Sequence, residues 1–196
     1  MAIAKTKLTL IEVARQLFAR NGIENTTMND IAEASKKGRR TLYTYFSSKR
    51  DIYSAVAETE LNNLCLQLEG VLKRDMPADD KLMLFLFTRL NAIKVVVVRN
   101  GTLRANFFRN IWRVENVRKG FDLKEIGYLQ TIMEEGVKSG IFEIADIPQT
   151  ARLLHYALKG LEVPAIRGVF DLNMNNREDR ALVNDLIFKG IKKNKY

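Results

Sequence analysis

The sequence has very few of the side chains that form covalent cross-links, metal centres or catalytic triads. Cys65 is its only cysteine and His155 its only histidine. An intrachain disulfide and a cysteine-rich metal site are therefore excluded, and no triad or metal cluster is recognisable. An enzyme would also need titratable groups that converge on one place, and the sequence shows none. We therefore expect a protein that is not an enzyme and that uses no cofactor and no metal.

Long apolar segments are also absent. The N-terminus lacks an uninterrupted apolar run followed by a small-residue cleavage site, so we predict no signal peptide. Residues 81–100 form the most apolar stretch, but Arg89, Asn91 and Lys94 interrupt it, and it falls short of a membrane span. A buried central helix explains this stretch better. Together with the lone cysteine, these features predict a cytoplasmic location.

Strand-like alternation and internal repeats are missing, and helical spacing is found throughout the chain instead. From Leu10 to Phe18, apolar residues recur every three or four positions, and Thr9 and Glu12 have capping-box spacing at the start. The predicted fold is therefore all-α. The first helix should start at Thr9, the second at Thr27 and the fourth after Ser48, ending at Pro77; the others should span 39–46, 80–99, 103–118, 122–138, 148–163 (ahead of Pro164) and 178–191.

Positive charge is concentrated near the N-terminus. Residues 1–50 hold 10 of the 32 lysines and arginines but only 4 of the 23 aspartates and glutamates. This first quarter therefore carries two thirds of the formal net charge of +9. Such an excess indicates a polyanionic partner, with nucleic acid first and an anionic membrane surface second; a solvated basic surface is the simpler alternative.

A short helix directly follows the most basic segment. Four cations, two lysines and two arginines, surround Gly38, and the few residues around it join two short helices with helix-turn-helix spacing. At 100° per residue, Leu42 and Phe46 lie on one side of helix 39–46 and should face the first two helices. Arg40 and Thr44 lie opposite, where they would face outward. The segment is therefore predicted to be a recognition helix.

The outward residues have the chemistry that DNA recognition needs. An arginine suits the O6 and N7 acceptors of guanine, and a threonine can hydrogen-bond or touch a thymine methyl. Hydroxyls and lysines on the flanks suit phosphates. Docking on a membrane would instead need a long amphipathic helix with an exposed apolar face. The residues we expect to contact DNA are Thr27, Lys36, Lys37, Arg39, Arg40, Thr41, Tyr43, Thr44, Tyr45 and Lys49.

Residues 10–56 resemble the N-terminal DNA-binding domain of tetracycline-repressor (TetR)-type regulators. The resemblance rests on VARQLFARNGIENTTMNDIAEAS followed by TLYTYFSSKRDIYSAV, and in outline on GVKSGIF at 136–142. The turn before the recognition helix departs from the family, which usually has Ala-Gly-Val-Ser there. In this chain Lys36 takes the place of the turn glycine, Lys37 that of the buried valine and Gly38 that of the capping serine.

The resemblance implies a homodimer whose binding to an operator is controlled by a ligand. It implies a helix-turn-helix DNA-binding domain over residues 1–50 and a helical ligand-binding and dimerisation domain over 51–196. We expect a repressor whose partners are double-stranded operator DNA, a second copy of the chain and an unknown small-molecule effector, with no membrane partner.

Two further groups of residues are candidates for the effector and for the dimer. An apolar ligand pocket could be lined by residues whose spacing fits an ordinary core equally well, and a packed or interface role for the histidine is the simpler reading. These pocket candidates are Phe85, Phe107, Phe108, Trp112, Tyr128 and His155. Apolar stripes on the last two helices predict an isologous four-helix interface formed by Leu154, Leu158, Leu161, Leu182, Val183, Leu186 and Ile187.

Overall fold

The computed structural model of the protein describes residues 2–99, 115–166, 173 and 175–188, and every element in this part of the chain is an α-helix. The prediction of an all-α fold is therefore confirmed. Eight helices are described: α1 (Ala2–Asn21), α2 (Met28–Ala34), α3 (Arg39–Tyr45), α4 (Lys49–Leu72), α5 (Ala78–Arg99), α6 (Glu115–Lys138), α7 (Ile147–Ile166) and α8 (Arg177–Phe188).

The chain divides into two compact units. One unit consists of residues 1–62 and 95–119, and the other of residues 63–94 and 120–196. The N-terminal boundary that we predicted at residue 50 stays a prediction. Helices α1 to α3 lie wholly in the first unit, whereas α7 and α8 lie wholly in the second.

The apolar stripe predicted in the first helix forms the core of the first unit. Leu10, Ala14 and Phe18 of α1 are fully buried, together with Ile31 of α2 and Leu42 of α3. The Phe18 ring meets that of Tyr53 edge-to-face, with centroids 5.8 Å apart, an arrangement that aromatic pairs prefer. Burial of these side chains holds α2 and α3 in place, because helices of seven residues are marginal alone.

In the second unit, a glycine permits a close approach between α6 and the residues that follow it. The ring of Phe142 occupies the space where a side chain at Gly136 would lie. Gly140, with φ of +72°, turns the chain back between them. Phe142 also packs against Phe188 at the end of α8, with ring centroids 6.0 Å apart. The GVKSGIF segment thus closes the C-terminal end of α6.

Several predicted helix starts differ from the observed ones, and α8 begins at Arg177, one residue before the predicted start. The first helix begins at Ala2 rather than Thr9, and the Thr9 hydroxyl donates to the Lys5 carbonyl (2.9 Å) within the helix instead of capping it. α5 begins at Ala78, where the carbonyl of Pro77 accepts from Lys81 N–H, so Asp79 lies in the first turn. α7 begins one residue early, since Asp146 caps it by accepting from Gln149 N–H (2.9 Å).

Several predicted ends are also corrected. α3 ends at Tyr45, with Phe46 as its cap, and α4 ends at Leu72, five residues before Pro77. α6 is continuous from residue 115 to 138, so the break predicted between 118 and 122 is wrong. α7 continues through Pro164. The predicted stop after residue 99, the start at 103 and the stop at 191 lie outside the described residues.

In the part of the chain that the structure describes, none of the helices combines the length and the hydropathy that a membrane span requires. α5, which contains most of the apolar stretch, instead buries Leu82, Phe85 and Leu86 in the second unit. The prediction that this stretch is a buried helix is confirmed for its described side chains.

Candidate nucleic-acid interface

The start of α2 is fixed by a capping box at Thr27. The Asp30 N–H donates to Thr27 Oγ1 (3.2 Å), and the Thr27 N–H donates to Asp30 Oδ2 (2.8 Å). Hydrogen bonds to the Asp30 carboxyl, from the backbone N–H and then from the side chain of Thr27, hold its pKa below the usual range.

The turn after α2 is a Schellman motif. The Lys36 N–H donates to the Glu33 carbonyl and the Lys37 N–H to the Ala32 carbonyl, both at 3.0 Å. Lys36 takes the left-handed conformation of this motif, with φ of +54°. Lys36 takes the place of the glycine that the family usually has in this turn, and the backbone still forms a Schellman motif. Lys37 is exposed, so its side chain takes no buried position.

The predicted recognition helix, α3, begins at Arg39, as the sequence indicated. Gly38 is the N-cap of α3, with φ of −64° and ψ of 147°, and its carbonyl accepts from Leu42 N–H (3.1 Å). Leu42 is fully buried and Phe46 nearly so. Exposure follows the helical wheel: Arg39, Arg40, Tyr43 and Thr44 are exposed, whereas Thr41 and Tyr45 are half-buried.

The basic cluster, defined as Lys36, Lys37, Arg39 and Arg40, is exposed and makes no ion pair with any residue that the structure describes. Four like charges within five residues repel one another, and α3 has no acidic residue in its first turn to offset them. The Thr44 hydroxyl donates to the Arg40 carbonyl (2.9 Å), which leaves its oxygen lone pairs and its methyl group facing outward. This surface is therefore suited to an anionic partner.

Lys49 has a structural contact that the sequence did not predict. Its ammonium donates to the carbonyls of Ile23 (2.7 Å) and Glu24 (3.3 Å), which lie in the loop between α1 and α2. Ser48 caps the same end of α4 by accepting from Asp51 N–H (3.2 Å), as predicted. The role of Lys49 in phosphate contact stays a prediction, and any phosphate would share the ammonium with these carbonyls.

Replacing Lys49 with alanine is expected to lower the free energy of unfolding by about 1 kcal/mol, because two loop carbonyls lose a charged donor. The measurement is urea unfolding at one fixed protein concentration. Lys37→Ala is the matched control, since that lysine is exposed and makes no ion pair with described residues. Equal stabilities for the two variants would show that the Lys49 contact does not hold the loop.

The polar groups predicted for a ligand pocket bind carboxylates of their own chain. The Tyr128 hydroxyl donates to Glu69 Oε1 (2.5 Å), and His155 Nδ1 lies 2.8 Å from Glu125 Oε2. Phe85 is fully buried in the core. Phe107, Phe108 and Trp112 lie outside the described residues. The second unit has a cavity of about 230 Å³ that none of the predicted pocket residues lines. Its lining residues are Asp79, Asp80, Met83, Arg180, Ala181 and Asn184.

A buried charged network, defined as Arg89, Glu125, Glu162 and His155, joins three helices of the second unit. Arg89 of α5 donates to Glu125 of α6 and to Glu162 of α7, and all three side chains are at most 2% exposed. Nearby, Lys159 pairs with Asp122 at 2.7 Å. In the sequence, Arg89 was interpreted only as an interruption of an apolar run, but an arginine on an otherwise buried face indicates that carboxylates must face it.

Comparison with known proteins places these features in a family context. Residues 10–56 match the family model described as "Bacterial regulatory proteins, tetR family". The HTH-type transcriptional regulator YhgD of Bacillus subtilis is 24% identical over 151 residues, which cover 77% of this chain and 78% of YhgD. The "Probable acrEF/envCD operon repressor" of Escherichia coli is 40% identical over 50 residues, covering 26% of this chain and 23% of that protein.

The fold also matches solved structures. The crystal structure of a transcriptional regulator from Cytophaga hutchinsonii superimposes with a TM-score of 0.73 at 23% identity, covering 94% of this chain and 97% of that one. At this level of identity the match concerns the fold. It extends the similarity well beyond the helix-turn-helix segment, to nearly the whole length of the chain.

Proposed function

This chain belongs to the tetR family of bacterial regulatory proteins, and from that premise we propose that it represses transcription by binding a near-palindromic operator as a homodimer. The family is one of DNA-binding transcriptional regulators, not of enzymes. The observation that carries the proposal is the exposed basic cluster at the start of α3. Its cations make no ion pair with described residues, while Leu42 and Phe46 fix the opposite side of the helix in the core.

The exposed side chains divide into base-reading and phosphate-contacting groups. Arg40 and Thr44 lie opposite the buried side of α3, so we assign them to base edges in the major groove. Tyr43 and Thr27 are exposed and carry hydroxyls that can donate to phosphate oxygens. Half-exposed Thr41 and Tyr45, with Arg39, are placed at the flanks of the groove. In a dimer, the two recognition helices would reach successive major grooves, about 34–36 Å apart.

Selection of bound duplexes from a random pool, followed by sequencing, tests the proposal. The expected product is a near-palindromic site with half-sites one helical turn apart or a multiple of it. Recovery of duplexes with no shared sequence, at an affinity equal to that for random DNA, would contradict specific operator binding. An assay of transcription from a promoter that carries the selected site then separates repression from activation.

The dimer is proposed to form through α7 and α8. Leu182 and Leu186 of α8 are 60% and 81% exposed, which leaves apolar surface uncovered within one chain. Leu154, Leu161 and Ile187 are half-buried. Leu158 and Val183 are buried within their own chain and belong to its core, so the proposed surface includes exposed Leu153 and Tyr156 of α7 instead. Two copies would cover these residues in an isologous interface.

Leu186→Glu is expected to convert the dimer to a monomer, because it places two buried carboxylates near the symmetry axis of the proposed interface. Sedimentation equilibrium measures the change in mass. Leu66→Glu is the matched control, since Leu66 of α4 is also strongly exposed, at 65%, but lies on neither α7 nor α8. The interface is wrong if the mass of Leu186→Glu stays that of the wild-type dimer.

A small-molecule effector is proposed to act through the second unit. Tyr128 and His155 remain candidates for its polar contacts. Because both groups already bind buried or half-buried carboxylates, an effector that contacts them would have to join or replace those hydrogen bonds. Such a replacement would alter the packing of α6 against its neighbours in that unit, which gives ligand binding a route to change the conformation of the unit.

A further inference from the structure

The backbone of Lys36 occupies a position that a lysine takes only at a cost. It is the residue with positive φ, +54°, in the turn between α2 and α3, and among the described residues it is the only one with positive φ that is not glycine. The left-handed region crowds the Cβ atom of an L-residue against the following carbonyl, so glycine or asparagine is favoured at this point of a Schellman motif. Two other turns in the described chain that need a positive φ use glycine, at Gly22 and Gly140.

The hydrogen bonds of the motif do not require the lysine side chain. They run between backbone groups, from Lys36 N–H to the Glu33 carbonyl and from Lys37 N–H to the Ala32 carbonyl. A glycine at position 36 would keep both bonds and remove the crowding. The side chain of Lys36 is exposed and makes no ion pair with described residues. The side chain of Lys36 therefore makes no described ion pair that would stabilise the fold.

What the lysine adds is charge beside the recognition helix. It lies two residues before the N-cap Gly38 and next to Lys37, so its ammonium adds to the repulsion within the basic cluster. Backbone strain and charge repulsion both oppose folding, and an anion that binds the cluster removes the repulsion. A DNA phosphate does this, and each such contact also releases a counterion.

We propose that Lys36 is a phosphate-contacting residue that strengthens DNA binding at the expense of folding stability, through a strained backbone position. This inference rests on the proposed function as a DNA-binding regulator and adds to it a specific trade between stability and affinity at one residue. It also implies that Lys36 strengthens binding to every DNA sequence equally, because a phosphate contact does not depend on the identity of the base.

Three variants of the full-length protein separate strain from charge. Lys36→Arg keeps both the strain and the charge, Lys36→Gln keeps the strain and removes the charge, and Lys36→Gly removes both. Lys73→Gln is the control for a lost lysine elsewhere, because Lys73 is exposed directly after the end of α4, in the second unit. Thermal unfolding is followed at fixed protein concentration. Binding to the duplex selected by the wild-type protein, and to a scrambled duplex of equal length, is titrated against salt concentration.

Lys36→Gly is expected to raise Tm by about 2–4 °C, whereas Lys36→Gln and Lys36→Arg leave Tm within about 1 °C of the wild type. Lys36→Gln and Lys36→Gly should weaken binding to both duplexes and make the slope of log affinity against log salt shallower by about 0.9 per lost contact, or about 1.8 for a dimer. Lys36→Arg and Lys73→Gln should bind as the wild type does.

Two results would overturn the inference while leaving the proposed function intact. An unchanged affinity and salt slope for Lys36→Gln would show that the ammonium touches no phosphate. A Lys36→Gly protein no more stable than Lys36→Gln would show that the left-handed position carries no strain. By contrast, a wild-type protein that binds neither duplex would overturn the proposed function itself, and with it the phosphate contact.

Discussion

Replacing Arg89 with methionine is expected to lower the free energy of unfolding by about 3–5 kcal/mol. Arg89 is 2% exposed and donates to Glu125 and Glu162, which are as deeply buried. Methionine fills a similar volume but leaves two carboxylates in the core of the second unit without this cation. The loss is measured by urea unfolding at a fixed protein concentration, because the stability of the proposed dimer would depend on that concentration.

The loss should depend on pH in a defined direction. Burial raises the pKa of the Glu125 carboxyl, whereas the charge of Arg89 and the hydrogen bond from His155 lower it. The lowering effects are the larger in sum, so the pKa of Glu125 lies below its ordinary value of 4.5. The ionised carboxylate therefore stabilises the fold above that value, and this contribution is lost as pH falls through the folded pKa. The difference between the wild type and Arg89→Met should be largest at neutral pH and should shrink below about pH 4.5.

Two controls separate the buried network from a general effect of losing an arginine. Arg152→Met makes the same change at an exposed position of α7 and should alter stability by no more than about 0.5 kcal/mol. Adding Glu125→Gln and Glu162→Gln to Arg89→Met removes the two stranded charges and should recover part of the loss. A loss below about 1 kcal/mol for Arg89→Met alone would contradict the assigned burial of these charges.

The helix-turn-helix was predictable because its signals are local. The capping box at Thr27 and Asp30, the glycine before α3 and the four-residue spacing of Leu42 and Phe46 all act within one or two helical turns, and all are found in the structure. Local signals also misled the prediction at Thr9. Its spacing to Glu12 matches a capping box, but a threonine inside a helix can instead donate to the carbonyl four residues earlier, as Thr9 does.

The helix boundaries in the second half failed for a different reason. Breaks were predicted between residues 118 and 122, where Gly120 lies, and ahead of Pro164, yet α6 and α7 continue through them. A glycine costs a helix only about 1 kcal/mol, and packing of the surrounding apolar residues can exceed that cost. Phe121 and Leu129 are buried on α6, and Leu158 on α7. Spacing along one segment does not reveal how much burial its neighbours supply.

Contacts between distant residues were the least predictable part of the chain. Lys49 meets carbonyls about 25 residues earlier, and Arg89 meets carboxylates 36 and 73 residues later. Only the type of partner was foreseeable, since a buried arginine requires carboxylates. The same limit applies to the dimer surface. Helical spacing grouped Leu158 and Val183 with Leu182 and Leu186, but the first pair is buried and the second exposed.

Replacing Arg40 with alanine is expected to cost about 1–3 kcal/mol of binding free energy in each half-site. The proposed symmetric dimer would make the contact twice, so affinity for the selected operator should fall by about 30-fold to about 10⁴-fold. The reason is that Arg40 is exposed opposite Leu42 and makes no ion pair with described residues, which leaves its planar guanidinium available for a bidentate contact with guanine. Repeating the random-pool selection with the variant should show relaxed preference at one base pair in each half.

The matched control is Lys37→Ala, which removes an equally exposed cation from the same basic cluster. A phosphate contact from Lys37 should weaken binding to the operator and to a scrambled duplex alike, and should reduce the salt slope. Arg40→Ala should weaken operator binding far more than binding to the scrambled duplex. The reason is that Arg40 makes its base contact only in the operator, so the scrambled duplex has no such contact to lose. Equal weakening of both duplexes by Arg40→Ala would place Arg40 on the backbone. Tyr43 and Thr44 would then be the remaining exposed residues of α3 that could contact base edges.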